Sequence, residues 1–417
     1  MACTFEDLTP LADRRPGGPR RGRIVTSRGV IETPEFLPVG TRATVKAMTP
    51  LQLAEIGVQG LLANTYHLYL RPGAEAVRAM GGLHTMMNWH RPIMTDSGGF
   101  QAFSLGAAKE HGVGKMGGVF PGKDVQPQAR HKSGESLVKV DNDGVTFRSY
   151  IDGSTHRFTP ESSIAIQRTL GADLILAFDE CTSPLAGYDY TAESLERTHR
   201  WAERCLDAPK DPHQSLYGIL QGGAYQDLRQ QAVDFMTKLP WDAMAIGGSL
   251  GETKEDFHRV LDWTVPQLPA HLPRHLLGIG EMIDLFEGVE RGIDTFDCVI
   301  PTRYARSGTV FTVRGKIRLT HAIRSHRQRD GRPGVSPSNP TGDAKPEASQ
   351  VSNRLLPYRP GLPLLHLRQL PPSLPSLSLC QQRDSGRHSV LHPQRHGSPE
   401  SDSKDSEIAR RGPVCGA

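Results

Sequence analysis

The chain has 417 residues, 37% hydrophobic and 23% charged, which is typical of a globular protein. Its formal net charge is only +4, so any affinity for nucleic acid must come from a local basic patch. Six cysteines are scattered without a Cys-x-x-Cys pair, which argues against a disulfide framework. No N-terminal apolar leader and no apolar run of roughly 18 residues is present, so we expect a cytoplasmic protein.

Most of the chain repeats one unit, in which a short β-rich run and a loop precede an amphipathic helix. A hairpin is predicted ahead of these units, around Arg28-Gly29. The candidate parallel strands are Glu35–Gly40, Gly60–Asn64, Pro92–Asp96, Asp173–Asp179, Ser215–Gln221, Asp242–Gly248, His275–Gly280 and Asp294–Val299. The clearest candidate helices between them are Ala192–Leu206, Gln226–Lys238, Lys254–Val265 and Met282–Arg291. Eight strands alternating with helices predict an α/β fold, a (β/α)8 TIM barrel rather than an open doubly wound sheet.

Three segments differ from this repeat. Residues 1–21 are polar and rich in Arg, Pro and Gly, which predicts a flexible arm before a barrel domain at residues 22–318. Residues 106–135 are rich in Gly, Lys and Pro and are predicted to be an insertion after the third strand. Residues 319–417 contain one aromatic residue, Tyr358, and we expect disorder there because little apolar surface can be buried. No eighth helix is recognisable, so the outer ring is expected to be incomplete.

Polar residues lie at the C-terminal ends of the predicted strands, where TIM barrels carry their catalytic groups. They include Asn64, Asp96, Asp179, Gln221 and Asp297. A single carboxylate at a strand end is more often a helix cap, but three with a glutamine are harder to explain as caps. Two carboxylates in one pocket favour glycosidase-type chemistry, in which one attacks an anomeric carbon and the other moves protons.

The residues around these carboxylates suggest a planar base and a phosphate backbone. Glycines after Asp96 allow close backbone approach to a ligand, and Phe100 offers a flat face for a ring. A phosphate-binding loop is the alternative, but no Lys-Ser/Thr pair follows these glycines. Gln221 could read a base beside Asp179, or could belong to a plain strand-to-helix turn. A Pro-Thr-Arg turn with a second arginine follows Asp297 and suits phosphate contacts, although a surface arginine pair is the alternative.

Eight stretches of the sequence resemble the tRNA-guanine transglycosylase (queuine tRNA-ribosyltransferase) family in its bacterial form. They are FLPVGTRATVKAMTP (36–50), LANTYHLYLRPG (62–73), DSGGFQ (96–101), AFDEC (177–181), LQGG (220–223), IGGSLGE (246–252), LLGIG (276–280) and FDCVIPTR (296–303). The resemblance covers residues 22–318 in order. It implies an irregular (β/α)8 barrel that exchanges a guanine in a tRNA anticodon for a deazapurine.

The resemblance also implies roles for individual residues. Asp297 would be the nucleophile on the ribose C1′, forming a covalent intermediate, and Asp96 would be the general acid/base. The residues implied to bind the base are Ser97, Gly98, Gly99, Phe100, Asp179, Gln221, Gly247 and Gly248. Those implied to contact RNA are Gly278, Ile279, Gly280, Glu281, Met282, Ile283, Asp284, Thr302, Arg303, Tyr304, Ala305 and Arg306. The implied substrates are tRNA with a GUN anticodon and 7-aminomethyl-7-deazaguanine. A homodimer without membrane association is expected.

Two departures from the family pattern stand out. The IGGSLGE loop is one residue shorter than the common bacterial form, and Leu250 lies where pocket width is set, which leaves the incoming base open. The family's Cys-x-Cys-x-x-Cys…His zinc site is missing, because no cysteine lies between Cys298 and Cys380. No metal or other cofactor is therefore expected in the chain as written, and we interpret the tail as the product of a reading-frame shift near residues 321–331.

Three other functions remain open at this point. A catalytically silent relative would have no need of both Asp96 and Asp297. A glycoside or nucleoside hydrolase on the same barrel would not need the basic rim after the nucleophile. A DNA-modifying relative is not distinguished by the arginines, although the bacterial-like motifs favour tRNA.

Overall fold

The computed structural model of the chain describes residues 2–103, 138–184, 186–312 and 315–318. Its first strands form an antiparallel sheet of β1 (Thr4–Asp7), β2 (Gly22–Thr26) and β3 (Gly29–Thr33). The β2–β3 hairpin confirms the one predicted around Arg28-Gly29.

Eight parallel strands close into a barrel, which confirms the predicted fold class. The first three are β4 (Glu35–Gly40), β5 (Leu61–Ala63) and β6 (Ile93–Thr95). A separate antiparallel sheet follows, made of β7 (Val138–Asp141), β8 (Gly144–Arg148) and β9 (Thr155–Phe158). The remaining barrel strands are β10 (Leu174–Leu176), β11 (Ser215–Leu220), β12 (Ala243–Ile246), β13 (Arg274–Leu276) and β14 (Thr295–Cys298). Pairing of β14 with β4 closes the barrel, and a hairpin of β15 (Thr309–Thr312) and β16 (Gly315–Arg318) comes after it.

Helices connect the barrel strands and cover their outer faces. They are α1 (Pro50–Glu55), α2 (Thr65–Leu70), α3 (Ala74–Ala79), α4 (Gly82–Met87), α5 (Pro160–Leu170), α6 (Tyr188–Asp207), α7 (Gln226–Met236), α8 (Lys254–Thr264), α9 (Met282–Glu290) and α10 (Ile300–Arg306). Thr49, Thr159 and Thr253 start α1, α5 and α8 with capping boxes. The turn predicted after Asp297 is wrong, because Pro301 lies in the first turn of α10, where its missing N–H and fixed φ favour a helix.

The barrel interior is filled by side chains that point inward from the strands, including Leu37, Tyr217 and Ile219. Ile24 and Ile31 of the N-terminal sheet are fully buried in the same cluster. The sheet β1–β3 therefore extends the apolar interior of the barrel. A second, larger cluster lies between the strands and the surrounding helices.

The prediction of a flexible arm at residues 1–21 is corrected by the structure. The described part of this segment is packed against the barrel. Strand β1 pairs with β2, and the Cys3 amide donates to the Ser215 hydroxyl at 2.6 Å. The Arg20 guanidinium is buried and forms two hydrogen bonds with the Asp294 carboxylate, one of them at 2.8 Å. It also donates to two backbone carbonyls at 2.7 Å. Polar composition alone could not show that this arginine has a buried partner.

Three aspartates at the N-terminal ends of barrel strands hold the neighbouring strand. Each precedes its own strand and accepts a backbone N–H from the adjacent one. The pairs are Asp173 with Ile93 (2.9 Å), Asp242 with Leu216 (2.8 Å) and Asp294 with Arg274 (2.6 Å). These carboxylates satisfy amide donors that the parallel ladder leaves unpaired at its end.

Several sequence predictions lie outside the described residues. They are the insertion at residues 106–135, the disordered tail at 319–417 with its missing eighth helix, and the reading-frame shift near residues 321–331. Among the helices that the structure describes, none is long and apolar enough to cross a membrane.

Replacing Arg20 by alanine should lower the free energy of unfolding by about 3–5 kcal/mol, because the Asp294 carboxylate would stay buried without its cationic partner. Urea denaturation measures this change. The control is Arg23→Ala, which removes a part-exposed ion pair with Glu32 and should cost below about 1 kcal/mol. Equal stability of the two variants would mean that the N-terminal segment does not contribute to barrel stability.

Candidate active site

The Asp297 carboxylate lies at the mouth of the barrel and is held through one of its two oxygens. Its Oδ1 accepts the backbone N–H of Gly278 at 2.9 Å and lies 3.2 Å from Nε2 of His275. The Asp297 residue is 8% exposed. Within the described chain, no hydrogen bond reaches Oδ2. That oxygen is therefore the one that a ligand could contact.

Strand register explains why His275 reaches this carboxylate. His275 pairs with Thr295 across β13 and β14, and Thr295 and Asp297 point to the same side because side chains alternate along a strand. The Thr295 hydroxyl lies 2.9 Å from Nδ1 of His275. When Thr295 donates to Nδ1, Nε2 carries the proton and donates to Asp297. The imidazole thus orients the carboxylate.

The Asp96 carboxylate follows β6 and has a different environment. It accepts hydrogen bonds from the Asn64 amide at 2.5 Å, the Thr65 backbone N–H at 2.7 Å and the Gln101 amide at 2.8 Å. Burial raises the pKa of Asp96 to about 6 despite these donors, and the negative charge of Asp297 contributes to the increase. At neutral pH this group can exchange a proton readily, as a general acid/base must.

A third carboxylate, Asp179, forms a buried pair with Gln221. The Gln221 amide donates to Asp179 at 2.5 Å, and the Ser97 hydroxyl lies 3.4 Å from the other carboxylate oxygen. Burial raises the pKa of Asp179 to about 6. The Oε1 atom of Gln221 is buried without a partner in the described structure. A buried acceptor without a donor is costly, so this oxygen fits the N–H of a bound ligand.

Two glycines bring backbone close to this pair. Gly248 has φ +80°, and a Cβ added to it would lie 2.0 Å from Oε1 of Gln221. A Cβ on Gly247 would lie 2.9 Å from Nε2 of the same glutamine. Glycine at these positions lets the β12 loop run directly over the Gln221 amide.

The two glycines after Ser97 also occupy positions where a Cβ would collide with neighbouring atoms. Gly98 has φ +81°, and its added Cβ would lie 2.8 Å from the Phe158 ring. A Cβ on Gly99 would lie 3.0 Å from the Asp179 carbonyl, so this run packs tightly beside the third carboxylate. Phe100 is 40% exposed, and its ring remains accessible at the mouth.

The residues predicted to contact RNA divide into accessible and enclosed groups. Gly278, Ile283, Arg303, Ala305 and Arg306 are exposed, and Glu281, Met282, Thr302 and Tyr304 are partly exposed. Ile279, Gly280 and Asp284 are buried.

Asp284 is bonded to Lys254 of α8, and a Cβ on Gly280 would collide with Cys298 at 2.4 Å. The side chain of Asp284 therefore holds α9 against α8, and Gly280 allows close backbone packing.

An ion pair beside the residues predicted to contact RNA was not predicted from the sequence. Lys316 of β16 lies 2.7 Å from Glu281, which also accepts the Tyr304 hydroxyl at 2.8 Å. The Lys316 ammonium lies 5.0 Å from the centre of the Tyr304 ring. These contacts attach the β15–β16 hairpin to the loop beside Gly278.

His275 is the main site residue that sequence reasoning missed. It was placed at the start of a predicted strand without a role, because its contact with Asp297 depends on the pairing of β13 with β14. Asn64 was noted at a strand end, but its bond to Asp96 also depends on neighbouring strands. Leu250, expected to set pocket width, is 2% exposed and packs in the core.

The family model and the relatives that match this chain carry the same family description. The model of the family described as queuine tRNA-ribosyltransferase matches residues 15–117 and 126–333. A queuine tRNA-ribosyltransferase of Roseiflexus sp. is 53% identical over 305 residues, covering 70% of this chain and 73% of the relative. The Halothermothrix orenii protein of that name is 49% identical, with 73% and 74% covered. A putative queuine tRNA-ribosyltransferase of Archaeoglobus fulgidus is 47% identical, with 72% and 77% covered.

The chain belongs to the queuine tRNA-ribosyltransferase family. This membership makes it an enzyme of the tRNA-guanine transglycosylase type, a pentosyltransferase. The family match extends the expected resemblance of residues 22–318 at both ends. Its interruption at residues 118–125 falls inside the predicted insertion.

The position at which the resemblance places a zinc site, about forty residues after Asp297, lies outside the described residues. No group of three or more His, Cys, Asp or Glu side chains among them could hold a metal ion. In the sequence, Cys380 and Cys415 are the only cysteines after Cys298, which is too few for a three-cysteine ligand set.

Gly248→Ala should weaken binding of a guanine-type base by about tenfold or more, because the new methyl group would collide with Oε1 of Gln221. Gly171 is the matched control, with φ +77° and no atom within 4 Å of an added Cβ. Gly171→Ala should cost about 1–2 kcal/mol of stability from backbone strain alone and leave base affinity unchanged. Calorimetric titration with 7-deazaguanine measures both variants, and equal affinities would place the base elsewhere.

Proposed function

We propose that this enzyme replaces guanine at the wobble position of tRNAs with a GUN anticodon by 7-aminomethyl-7-deazaguanine, a step in queuosine biosynthesis. The observation that carries the proposal is the pair of unlike carboxylates at one barrel mouth. Asp297 is oriented through Oδ1 with Oδ2 available, and the pKa of Asp96 is raised to about 6. Such a division of environments suits a nucleophile and an acid/base.

In the first half-reaction, Oδ2 of Asp297 attacks C1′ of the guanosine ribose. The new C1′–O bond forms as the C1′–N9 bond breaks through an oxocarbenium-like transition state, and the bonding electrons leave with guanine. Protonated Asp96 supplies the proton that the departing base takes up and becomes a carboxylate. The hydrogen bonds from His275 and Gly278 keep Asp297 aligned during this step.

In the second half-reaction, the Asp96 carboxylate takes the N9 proton of the incoming deazaguanine. N9 then forms a bond to C1′ and displaces Asp297 as a carboxylate. Two successive displacements at C1′ retain its original configuration. Both half-reactions use the same proton site, so Asp96 is restored to its starting state after each exchange.

Recognition of the base is assigned to the pocket of Asp179, Gln221 and Gly248. A guanine-type base presents N–H donors along one edge and a carbonyl oxygen beside them. The Asp179 carboxylate and the unpartnered Oε1 of Gln221 are acceptors for those donors. Phe100 offers an accessible ring for stacking. The choice of the aminomethyl base rests on the bacterial type of the sequence motifs.

The tRNA backbone is assigned to the basic surface that follows the nucleophile. Arg303 and Arg306 are exposed on α10, which begins two residues after Cys298. Such arginines suit phosphate oxygens on either side of the wobble nucleotide and set its position without reading its sequence. Their contribution should fall as salt concentration rises.

Exchange of radiolabelled guanine into unmodified tRNA with a GUN anticodon tests this function. The wild type should incorporate label, and Asp297→Ala should incorporate none because no covalent bond to C1′ can form. The control Asp262→Asn removes an exposed carboxylate that pairs with Arg291 and should leave exchange unchanged.

Continued exchange by Asp297→Ala would exclude Asp297 as the nucleophile. Label entering a DNA stem-loop of the same sequence, but not tRNA, would support a DNA-modifying relative. Absence of exchange with both substrates, and of a denaturation-stable adduct, would support a catalytically silent one.

The rate of guanine release in a single turnover should fall as pH rises above about 6. Because burial raises the pKa of Asp96 to about 6, its protonated fraction decreases about tenfold for each further pH unit. Asp96→Asn should slow release by about 10²–10⁴-fold and remove this dependence. Rates measured by rapid quench with saturating tRNA between pH 5 and pH 8 test the assignment. A flat wild-type profile would contradict it.

A further inference from the structure

Arg229 of α7 is a fully buried cation beside the base pocket. Burial lowers its pKa to about 10, which leaves the guanidinium charged at neutral pH. Among the described residues, no acidic side chain forms an ion pair with it. Its donors are instead taken by four backbone carbonyls. These are Gly223 at 2.7 Å and Leu220, Gly247 and Ser249 at 3.0 Å each.

The four carbonyls come from the two loops that carry the base-reading groups. Leu220 and Gly223 lie on either side of Gln221, and Gly247 and Ser249 flank Gly248. One guanidinium therefore joins the C-terminal end of β11 to that of β12. Burying a charge without an opposite charge costs free energy. Core packing alone therefore does not explain an arginine at this position.

Besides the Arg229 contacts, a backbone hydrogen bond from the Gly247 N–H to the Leu220 carbonyl at 3.0 Å joins these two strand ends. The ladder between β11 and β12 ends at the pair Leu220 and Ile246. Beyond it the backbone takes positive φ at Gly222 (+124°), Gly223 (+59°) and Gly248 (+80°). Gly223 and Ser249 also line a cavity of about 180 Å³, so their peptides have open space on that side.

Small changes in this spacing would act directly on the pocket. The position of a Cβ on Gly248 lies 2.0 Å from Oε1 of Gln221, so the β12 loop passes in contact with that amide. Moving the loop away would separate Gly247-Gly248 from the Asp179–Gln221 pair. Moving it closer would push the loop backbone against the Gln221 amide.

We propose that Arg229 is a positioning residue that sets the distance between Gln221 and the Gly247-Gly248 backbone, and thereby the affinity and selectivity for the purine-like base. This inference rests on the proposed function of the pocket. The planar guanidinium has donors in a fixed fork and can serve both loops at once. A lysine ammonium lacks this planar fork and would not reproduce all four carbonyl contacts.

Arg229→Lys tests the proposal against Arg274→Lys as a matched control. Arg274 is also a buried arginine that donates to backbone carbonyls, those of Leu268 at 3.0 Å and Gly292 at 3.4 Å, at the other end of the barrel. Dissociation constants are measured for guanine, for 7-aminomethyl-7-deazaguanine and for unmodified tRNA, together with kcat and the melting temperature.

Arg229→Lys is expected to affect binding of the base more than binding of the tRNA. Arg229→Lys should raise the dissociation constant of both bases by about tenfold or more and reduce the discrimination between them. Its affinity for tRNA should change much less, because the phosphate backbone supplies most of that affinity. Arg274→Lys should lower the melting temperature without changing base affinity.

Two results would overturn the proposal. One is an Arg229→Lys variant whose base affinity equals that of Arg274→Lys. The other is failure of both Arg229→Lys and Arg229→Gln to fold while Arg274→Lys folds, which would assign Arg229 to barrel stability. The proposed function is tested separately by guanine exchange in the wild type and its loss in Asp297→Ala. Neither result depends on the dissociation constants of the bases in the Arg229 variants.

Discussion

The pairing of β14 with β4 is the constraint on which the active site depends. It closes the barrel in a register that places Asp297 beside Leu37 and leaves its carboxylate at the mouth. The pairing of β14 with β13 on its other edge places His275 beside Thr295. The carboxylate is therefore held between two strands whose positions are set by backbone hydrogen bonds. The backbone ladder thus fixes the position of this carboxylate at the mouth.

Three carboxylates of the same residue type have different surroundings. Asp297 is oriented by an imidazole and one peptide N–H, Asp96 is enclosed by amide donors, and Asp179 is paired with Gln221. Burial raises the pKa of Asp96 and of Asp179 to about 6. The opposite end of the barrel also contains aspartates, of which Asp173 and Asp294 are buried, and these accept strand amides or an arginine.

Periodicity and motif content were sufficient to predict much of this arrangement. The eight strands were found because parallel barrel strands are short apolar runs, and the C-terminal ends of such strands converge on one face. That rule correctly brought Asp96, Asp179, Gln221 and Asp297 to one mouth. Their roles in the reaction remain predictions.

The features that were missed depend on contacts between distant parts of the chain. The buried pair of Arg20 and Asp294 spans 274 positions, and local composition carries no sign of it. The bond from His275 to Asp297 requires knowledge of strand register. The carbonyl contacts of Arg229 depend on where two loops meet. In each case only the folded structure shows which groups the polar side chain contacts.

The closure of β4 by β14 has a consequence for how the protein is made. The first barrel strand leaves the ribosome long before residues 295–298 are available to pair with it. Until then, β4 has an unpaired edge and apolar faces that can associate with other nascent chains. Contacts of such high sequence separation also form slowly. The unfinished barrel is therefore the stage at which chaperones would protect this polypeptide, and slowing translation near residue 298 would prolong the exposure.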